Sequence, residues 1–371
     1  MISNWLIIIL AAIFISAVLT AFFIPQVLDV AYKKKLFDNS DFRKIHKGVI
    51  PRLGGVAFLP ALICSLSLVT GFVVYFDPSL ILSAGLKAEL PQLMVLFASV
   101  TLLYFIGLKD DMVDVNYKAK FIVQGISVLL TVFSGMCIFD LNGLFGIDML
   151  SPVAAFLVSF FVIITIINAI NLVDGIDGLA SGIGILTLIL YGFVFFSVGE
   201  FIYAMISWAS MATLSVFFLF NFFGSEKKKR KIFMGDIGAM TMGMVIAFLS
   251  VGMTEINTEN ISNFNPVVIA FSPLVIPIFD VFRLFILRIS QKRSPFLPDK
   301  CHLHHKIMES GLNQHQTLFL ILSLQIFLTL INIWFSPIIN INIILAIDVL
   351  FFIMFVGMVS KRAKAVLNRN C

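Results

Sequence analysis

The sequence predicts an all-α, polytopic integral membrane protein with eleven transmembrane helices. Of its 371 residues 60% are hydrophobic and only 13% are charged, and the hydrophobic residues collect in runs of membrane-spanning length. A soluble chain of this size could not bury so much apolar surface. Helices are expected because lipid offers no hydrogen-bonding partner to an open backbone. We predict one domain over residues 1–371.

Eleven apolar segments reach or approach the roughly 20 residues that a spanning helix needs. Their predicted bounds are 5–28, 54–76, 91–108, 119–139, 151–172, 179–198, 201–223, 237–253, 266–287, 318–336 and 338–359. The first segment has neither a basic region before it nor a small-residue cleavage site after it. We therefore expect it to be a retained helix and not a signal peptide.

Lysine and arginine are distributed very unevenly over the connections between these segments. If the segments alternate across the membrane, all 26 Lys and Arg residues except Lys87 fall on one side. Positive residues favour the cytoplasmic side, which predicts that the N-terminus lies outside and the C-terminus in the cytoplasm. Because topology explains the basic excess, no nucleic-acid partner is indicated.

Acidic clusters border the third and eighth segments, on the predicted cytoplasmic side. Asp110 and Asp111 follow the third segment, and Asp236 opens the eighth between Gly235 and Gly238. Mg²⁺ prefers oxygen ligands and is commonly held by one or two carboxylates plus substrate phosphates. Each cluster alone also has a plainer explanation: a solvated acidic loop for the first and a helix cap for Asp236.

Polar residues also mark the end of the fifth segment. Asn168, Asn171 and Asp174 recur every three residues, so they share one side of a helix, and Asp177 follows. The asparagines either bond a neighbouring helix or line a polar site near the cytoplasmic face. The Asp-Gly-x-Asp-Gly sequence that follows favours the polar site.

Three of the five histidines, His302, His304 and His305, lie within four positions. Imidazoles can bind transition metals, pair with phosphate when protonated, or act as acid or base. The basic residues nearby, Arg293 among them, favour an anionic ligand over zinc.

Three other charged features lie outside these motifs. The basic run 227–231 is expected to anchor helix ends against anionic lipid, with attraction of an anionic substrate as the alternative. Asp280 and Arg283 are spaced for an ion pair within one helix. Asp348 lies midway through the last segment, where a charge is expensive and usually functional, and its partner is not evident from the sequence.

Five of these motifs occur in a fixed order along most of the chain. They are Pro51-Arg52-Leu53-Gly54-Gly55, Asp110-Asp111-x-x-Asp114, Asn171-Leu172-Val173-Asp174-Gly175-Ile176-Asp177-Gly178-Leu179, Gly235-Asp236-x-Gly238 and His302-Leu303-His304-His305. In these residues the chain resembles the polyprenyl-phosphate N-acetylhexosamine-1-phosphate transferases. The His-x-His-His form is similar to the bacterial N-acetylglucosamine branch, whereas the muramoyl-pentapeptide branch carries three consecutive histidines.

The resemblance implies transfer of an N-acetylhexosamine 1-phosphate, with N-acetylglucosamine favoured, from a UDP-sugar to undecaprenyl phosphate, with release of UMP. Such a reaction starts the synthesis of a lipid-linked glycan such as O-antigen, teichoic acid or capsule. It implies a bacterial cytoplasmic membrane location, a site facing the cytoplasm, and Mg²⁺ as cofactor, with Mn²⁺ as an alternative. Two questions are left open: whether the protein forms a homodimer, and whether transfer is direct or passes through an aspartyl-phosphate intermediate.

The resemblance also implies roles for individual residues. Asp236 is expected to be the leading Mg²⁺ ligand with Asp111 nearby, and Asp110 is expected to activate the lipid phosphate. The histidines His302, His304 and His305 are expected to be catalytic residues at the diphosphate or sugar. The expected substrate-binding residues are Lys47, Arg52, Asn171, Asp174, Asp177 and Arg293, with Asn171, Asp174 and Asp177 at the nucleotide-sugar and Arg293 beside the histidines.

Two other classes of protein remain as alternatives from the residues themselves. A cation- or proton-coupled carrier would account for eleven helices and for Asp348, but it predicts several ionisable residues at mid-membrane. A non-catalytic membrane scaffold would not require acids, glycines and histidines on one side. The clustering at one face favours the enzyme.

Overall fold

The computed structural model describes residues 2–36, 50–79, 86–256, 264–292, 294 and 301–370. Within these ranges the chain is almost entirely helical. The α-helices are α1 Ile2–Lys34, α2 Phe58–Phe76, α3 Leu86–Val113, α4 Tyr117–Phe133, α5 Pro152–Val173, α6 Leu179–Val198, α7 Phe201–Phe222, α8 Gly235–Thr254, α9 Pro266–Phe271, α10 Val275–Ser290, α11 Leu303–Glu309, α12 Gln314–Phe335 and α13 Ile341–Asn370. Short 3-10 helices, Gly54–Ala57 and Ser272–Leu274, precede α2 and join α9 to α10.

In the described ranges, ten helical stretches are long and apolar enough to cross a membrane, which confirms an all-α multi-pass membrane protein. The predicted segment 119–139 differs from them. Its helix, α4, has only 17 residues and is therefore about 26 Å long. It ends before Gly135, whose φ of +92° turns the chain out of the helix.

A small antiparallel hairpin follows α4, with strands β1 Asp140–Leu144 and β2 Ile147–Met149. The hydrophobic pattern did not predict it. The hairpin lies beside the start of α13, where the Asn342 side chain donates to the Gly143 carbonyl over 2.8 Å. Helix α4 thus runs from the end of the bundle where α3 finishes to the end where α13 begins. The count of eleven spans and their orientation stay predictions, as does the single domain.

Helix α8 lies at the centre of the bundle. Within its most apolar window 94% of the residues are buried in the protein, against 28% for α1. Helices α3 and α5 pack along it. Gly243 permits the close approach of α5, because a Cβ at this position would lie 3.0 Å from the Ile167 Cα atom. Small residues let helices pack closely where lipid gives little hydrophobic driving force.

Polar side chains inside the bundle hydrogen-bond across helices. Ser16 of α1 and Thr213 of α7 are 2.8 Å apart. Gln325 of α12 donates to the Ser272 carbonyl and accepts from the Ile276 amide, over 2.7 and 3.1 Å. These bonds satisfy backbone groups that the break between α9 and α10 leaves open, as an apolar environment requires.

The structure supplies the partner that the sequence did not show for Asp348. Asn332 of α12 donates to its carboxylate over 2.7 Å, and both side chains are buried. This mid-membrane acid therefore links α12 to α13. The predicted ion pair between Asp280 and Arg283 is confirmed at 2.6 Å.

Candidate active site

The candidate site forms at the end of the bundle where α3 and α5 finish and α4 and α8 begin, hereafter the site end. Backbone pairing joins two of the sequence motifs there. The Phe233 amide donates to the Pro51 carbonyl, and the amides of Gly54 and Gly55 donate to the carbonyls of Phe233 and Met234, each over 2.9 Å. The segment before α2 and the segment before α8 are thus held side by side.

Glycines make this pairing possible. A Cβ on Gly55 would lie 2.0 Å from the Gly238 amide nitrogen, so no side chain fits between the two backbones. Gly235 has a φ of +72°, which favours glycine, and a Cβ there would lie 2.0 Å from the Arg52 carbonyl oxygen. The next residue, Asp236, is thereby fixed in the first turn of α8.

Asp111 caps the N-terminus of α8 from a different helix. Its two carboxylate oxygens accept hydrogen bonds from the backbone amides of Asp236 and Ile237, each over 3.0 Å. Of the sequence-based interpretations, a helix cap was considered for Asp236, and the structure gives that role to Asp111. Each oxygen keeps a further lone pair, and metal coordination by Asp111 stays a prediction.

Asp110 and Asp111 lie in the last turn of α3 and not in the following loop, so the interpretation as a solvated acidic loop is wrong. Acids are unfavourable at a helix C-terminus, but here the positive N-terminus of α8 and nearby donors offset that cost. Asp110 accepts the Val115 amide over 2.7 Å. Asp114, in contrast, is exposed beyond the end of the helix.

Lys120 is a site residue that the sequence did not single out. Its ammonium group lies 2.9 Å from a carboxylate oxygen of Asp110 and 2.9 Å from one of Asp236. Asn171 donates to the same Asp236 oxygen over 2.6 Å. Lys120 lies near the start of an apolar helix, where a cation needs acidic partners. That position was the sequence feature that could have identified it as a site residue. Four helices, α3, α4, α5 and α8, therefore converge on Asp236.

Asp174 follows directly after α5 as its C-terminal cap residue. Burial, together with the carboxylates of Asp236 and Asp111, raises its pKa well above the usual range. Arg52 interacts electrostatically with both Asp111 and Asp174. The acid cluster thus extends from α3 to the loop between α5 and α6.

The histidine segment packs against that loop. A Cβ on Gly175 would lie 2.2 Å from the His304 Nε2 atom, so the imidazole contacts the glycine directly. His304 is only 3% exposed, and its buried Nε2 has no hydrogen-bond partner in the described structure. Nδ1 of His302 lies 3.4 Å from Asp280, and the His305 ring is 4.3 Å from the His304 ring. The three predicted histidines therefore border the site.

Burial, with the neighbouring His305 and His302, lowers the pKa of His304 to about 3. An unfolded histidine titrates near 6.5, so between these values the unfolded state binds the proton and the folded state does not. Stability is then lost as the pH falls below about 6.5. From about pH 7.5 to about pH 5.5 we expect a loss of ~1.4 kcal/mol from His304.

The measurement is the apparent melting temperature of purified wild type and His304→Gln at both pH values. The variant should lose less stability on acidification. The exposed His315 provides the control, since His315→Gln should keep the wild-type dependence. Equal acid sensitivity in wild type and His304→Gln would show that the His304 imidazole is not held neutral by burial.

Asp177 has a partner that its sequence position did not suggest. Its carboxylate is 7% exposed and lies 2.7 Å from the Lys231 ammonium group. Lys231 thus differs from the lipid-anchoring role expected for the run 227–231. Contact of Asp177 with a nucleotide-sugar stays a prediction. Lys47 and Arg293 lie outside the described residues.

Among the described residues, the four carboxylates of Asp110, Asp111, Asp174 and Asp236 outnumber the cations beside them, Lys120 and Arg52. The Lys120 ammonium group bridges the carboxylates of Asp110 and Asp236 and so offsets their mutual repulsion. In the part of the chain that the structure describes, no three His, Cys, Asp or Glu side chains converge to hold a metal by themselves. Mg²⁺ needs only one or two carboxylates when phosphate oxygens complete its shell, so the hard oxygen donors fit this ion.

Fold and site together define a multi-pass membrane protein with a carboxylate-rich site at one end of its helical bundle. The model of glycosyl transferase family 4 matches residues 93–254. The undecaprenyl-phosphate alpha-N-acetylglucosaminyl 1-phosphate transferase of Yersinia pestis is 30% identical over 294 residues, which cover 79% of this chain and 74% of that protein. The chain therefore belongs to glycosyl transferase family 4.

Two further relatives match over similar lengths. The enzyme of the same name from Escherichia coli K12 is 29% identical over 315 residues, covering 84% of this chain and 79% of that protein. A probable undecaprenyl-phosphate N-acetylglucosaminyl 1-phosphate transferase of Bacillus subtilis is 28% identical over 315 residues, covering 83% and 80%. The resemblance seen in the motifs thus extends over about four-fifths of the chain.

Proposed function

We propose that this protein transfers N-acetylglucosamine 1-phosphate from UDP-N-acetylglucosamine to undecaprenyl phosphate and releases UMP. The observation that carries the proposal is the convergence of Asp110 and Asp236 on Lys120, with Asp111 at the start of α8 and Asn171 alongside. This arrangement suits phosphate chemistry at a membrane surface. Family membership and the activities named for the three relatives support the same conclusion.

In the proposed reaction an oxygen of the lipid phosphate attacks the β-phosphorus of the UDP-sugar. A new P–O bond forms there, and the bond from the β-phosphorus to the bridging oxygen breaks. UMP departs with that oxygen and its electron pair. Because two anions must approach each other, most of the catalytic effect should come from positioning and from cations that offset the charge.

Asp236 and Asp111 would hold Mg²⁺, with Mn²⁺ as a substitute. When bound, the ion would neutralise charge on the phosphates. Lys120 keeps the carboxylates of Asp110 and Asp236 together and presents a positive charge beside them. Both Asp110 oxygens accept hydrogen bonds, from the Val115 amide and from Lys120. That geometry favours direct attack by the lipid phosphate over an aspartyl-phosphate intermediate, since an engaged carboxylate is a poorer nucleophile.

The substrate-binding wall would consist of the loop after α5 and the histidine segment. His304, held neutral by burial, packs against Gly175 and would position the loop that carries Asp174 for the sugar or diphosphate. Asn171 and Asp174 lie between this imidazole and the carboxylates, on the last turn of α5 and just after it. Arg52, which interacts electrostatically with both Asp111 and Asp174, would add a positive charge beside them.

The proposed location is the bacterial cytoplasmic membrane, with the site end in the cytoplasm. If the segments alternate across the membrane as predicted, all lysines and arginines except Lys87 lie on that side, as the positive-inside rule requires. A site there would receive the soluble UDP-sugar from the cytoplasm and the lipid phosphate laterally from the membrane.

Purified protein is expected to convert sugar-labelled UDP-N-acetylglucosamine and undecaprenyl phosphate to lipid-extractable label and UMP. EDTA should abolish this turnover, and Mg²⁺ or Mn²⁺ should restore it. UDP-N-acetylgalactosamine serves as the competing donor. If no UDP-sugar gives labelled lipid in the presence of Mg²⁺, the proposed function is wrong.

A further inference from the structure

A groove of about 680 Å³ lies at the site end, outside the candidate active site. One wall is the end of α1, with Leu28, Tyr32 and Lys33. The other consists of the last turn of α7 and the basic turn after it. The basic run that the sequence analysis interpreted as a general lipid anchor therefore borders a defined groove.

The turn is ordered by its own backbone bonds. The Lys229 amide donates to the Glu226 carbonyl over 2.9 Å, and the Arg230 amide donates to the Ser225 carbonyl over 3.0 Å. Lys229 has a φ of +53°, uncommon for a residue with a side chain. Its ammonium group lies 5.4 Å from the centre of the Tyr32 ring, a cation–π distance. The turn is thereby fixed against α1.

The groove is rich in positive charge. Lys33, Lys228, Lys229 and Arg230 line it, and Asp29, the acid in its lining, pairs with Lys33 at 2.6 Å. The side chains of Lys228 and Arg230 are exposed. Among the described residues, Glu226 is a further acid nearby, acting on Tyr32. A ligand that complements this surface carries negative charge.

The floor of the groove is apolar and continuous with the lipid-facing surface. Pro25, Leu28 and Phe220 form it. Pro25 is exposed and Phe220 is half-buried, so both can contact a hydrocarbon chain. A ligand that satisfies both parts has an anionic head and a hydrocarbon chain.

We propose that this groove binds the phosphate headgroup of an anionic glycerophospholipid, with the adjoining acyl chain against Phe220. Basic clusters immediately beside a membrane span attract anionic lipids. The groove has a defined shape, an ordered turn and an apolar floor. A lipid attracted by the basic residues is therefore bound at one defined position.

The same turn contacts the candidate active site. Lys231, next to Arg230, pairs with buried Asp177 at 2.7 Å. Asn221 at the end of α7 accepts the Gly178 amide and donates to the Ile232 carbonyl, over 2.6 and 2.9 Å. Headgroup binding at Lys228 and Arg230 therefore stabilises the loop that carries Asp174. We expect a stabilised loop to increase turnover. That expectation rests on the proposed function, whereas the lipid binding itself does not.

The test compares wild type, Lys228→Gln/Arg230→Gln and Lys361→Gln/Lys364→Gln. The last variant removes two exposed cations from α13 and leaves the groove intact. Each protein is placed in nanodiscs of phosphatidylcholine with increasing fractions of phosphatidylglycerol, and retained lipid is measured by native mass spectrometry. The groove variant should bind phosphatidylglycerol about tenfold or more weakly, while the α13 variant matches wild type.

Equal loss in both variants would overturn the proposal, because attraction would then be general. Displacement of the lipid by soluble glycerol phosphate at similar concentration would also overturn it, by showing a free-phosphate site. In discs with phosphatidylglycerol the groove variant should turn over more slowly than wild type, and in pure phosphatidylcholine equally. If wild type has no transferase activity, the proposed function fails while the lipid measurement still decides this site.

Discussion

Replacing Asp236 with asparagine is expected to lower turnover at least about 100-fold, the scale seen when an essential electrostatic or metal-binding group is lost. The Asp236 carboxylate accepts hydrogen bonds from the side chains of Lys120 and Asn171. The backbone amide of Asp236 donates to the Asp111 carboxylate. Asparagine keeps the shape of the side chain but removes its negative charge. Residues from α3, α4 and α5 contact Asp236 of α8, so the loss of this charge affects the whole site. The measurement is kcat of the purified variant at saturating UDP-N-acetylglucosamine and Mg²⁺.

Asp114→Asn is the matched control. Asp114 belongs to the same acidic motif as Asp110 but is exposed, and its φ of +48° suits asparagine. The control variant should retain near-wild-type turnover. Full activity of Asp236→Asn, in protein that inserts and melts like wild type, would contradict the assignment of this carboxylate to the site.

A single methyl group at Gly55 is expected to reduce turnover by a similar factor, through geometry instead of charge. The added Cβ would lie 2.0 Å from the Gly238 amide nitrogen, so the 3-10 helix before α2 must move away from α8. Displacement of a catalytic group by about 1 Å can cost about 100-fold in rate. Overpacking should also destabilise the protein, by about 1–3 kcal/mol. Gly55→Ala is assayed for turnover and apparent melting temperature.

Gly71→Ala is the control, because a Cβ at this exposed position of α2 meets nothing within 4 Å. Alanine is the better helix former, so this variant should be as stable as wild type or slightly more so. Wild-type activity in Gly55→Ala would mean that the contact between the two glycine motifs does not set the position of Asp236.

The hydrophobic runs predicted most helices because burial in lipid leaves few alternatives to a helix of spanning length. The prediction failed in detail at 119–139. There the residues after Phe133 are still largely apolar, so hydropathy gave no sign that the chain leaves the helix at Gly135. Composition measures preference for lipid, whereas the end of this helix depends on backbone conformation.

Within the candidate site, the sequence identified side chains that stand out against an apolar background. Asp110, Asp236 and Asn171 were visible for that reason, and the structure brings them together. Lys120 was hidden among many lysines of the same side. The packing of α4 against α3 shows that it faces two acids, Asp110 and Asp236.

Capping and pairing over long sequence distances were also beyond prediction. Asp111 caps a helix that begins more than a hundred residues later, and no local pattern encodes such a bond. The residues of the basic run 227–231 are all positively charged, but their side chains make different contacts. Lys231 turns inward to Asp177, whereas Lys228 and Arg230 face the groove. The direction of each side chain is set by the turn, which the composition does not specify.

The most direct test of the proposed function follows the β-phosphate of the donor. Purified protein is incubated with Mg²⁺, undecaprenyl phosphate and UDP-N-acetylglucosamine labelled in that phosphate. We predict that the label enters the lipid extract and that the released nucleotide is unlabelled UMP. Labelled UDP in the aqueous phase, with an unlabelled lipid, would show transfer of the sugar alone and would contradict the proposed function.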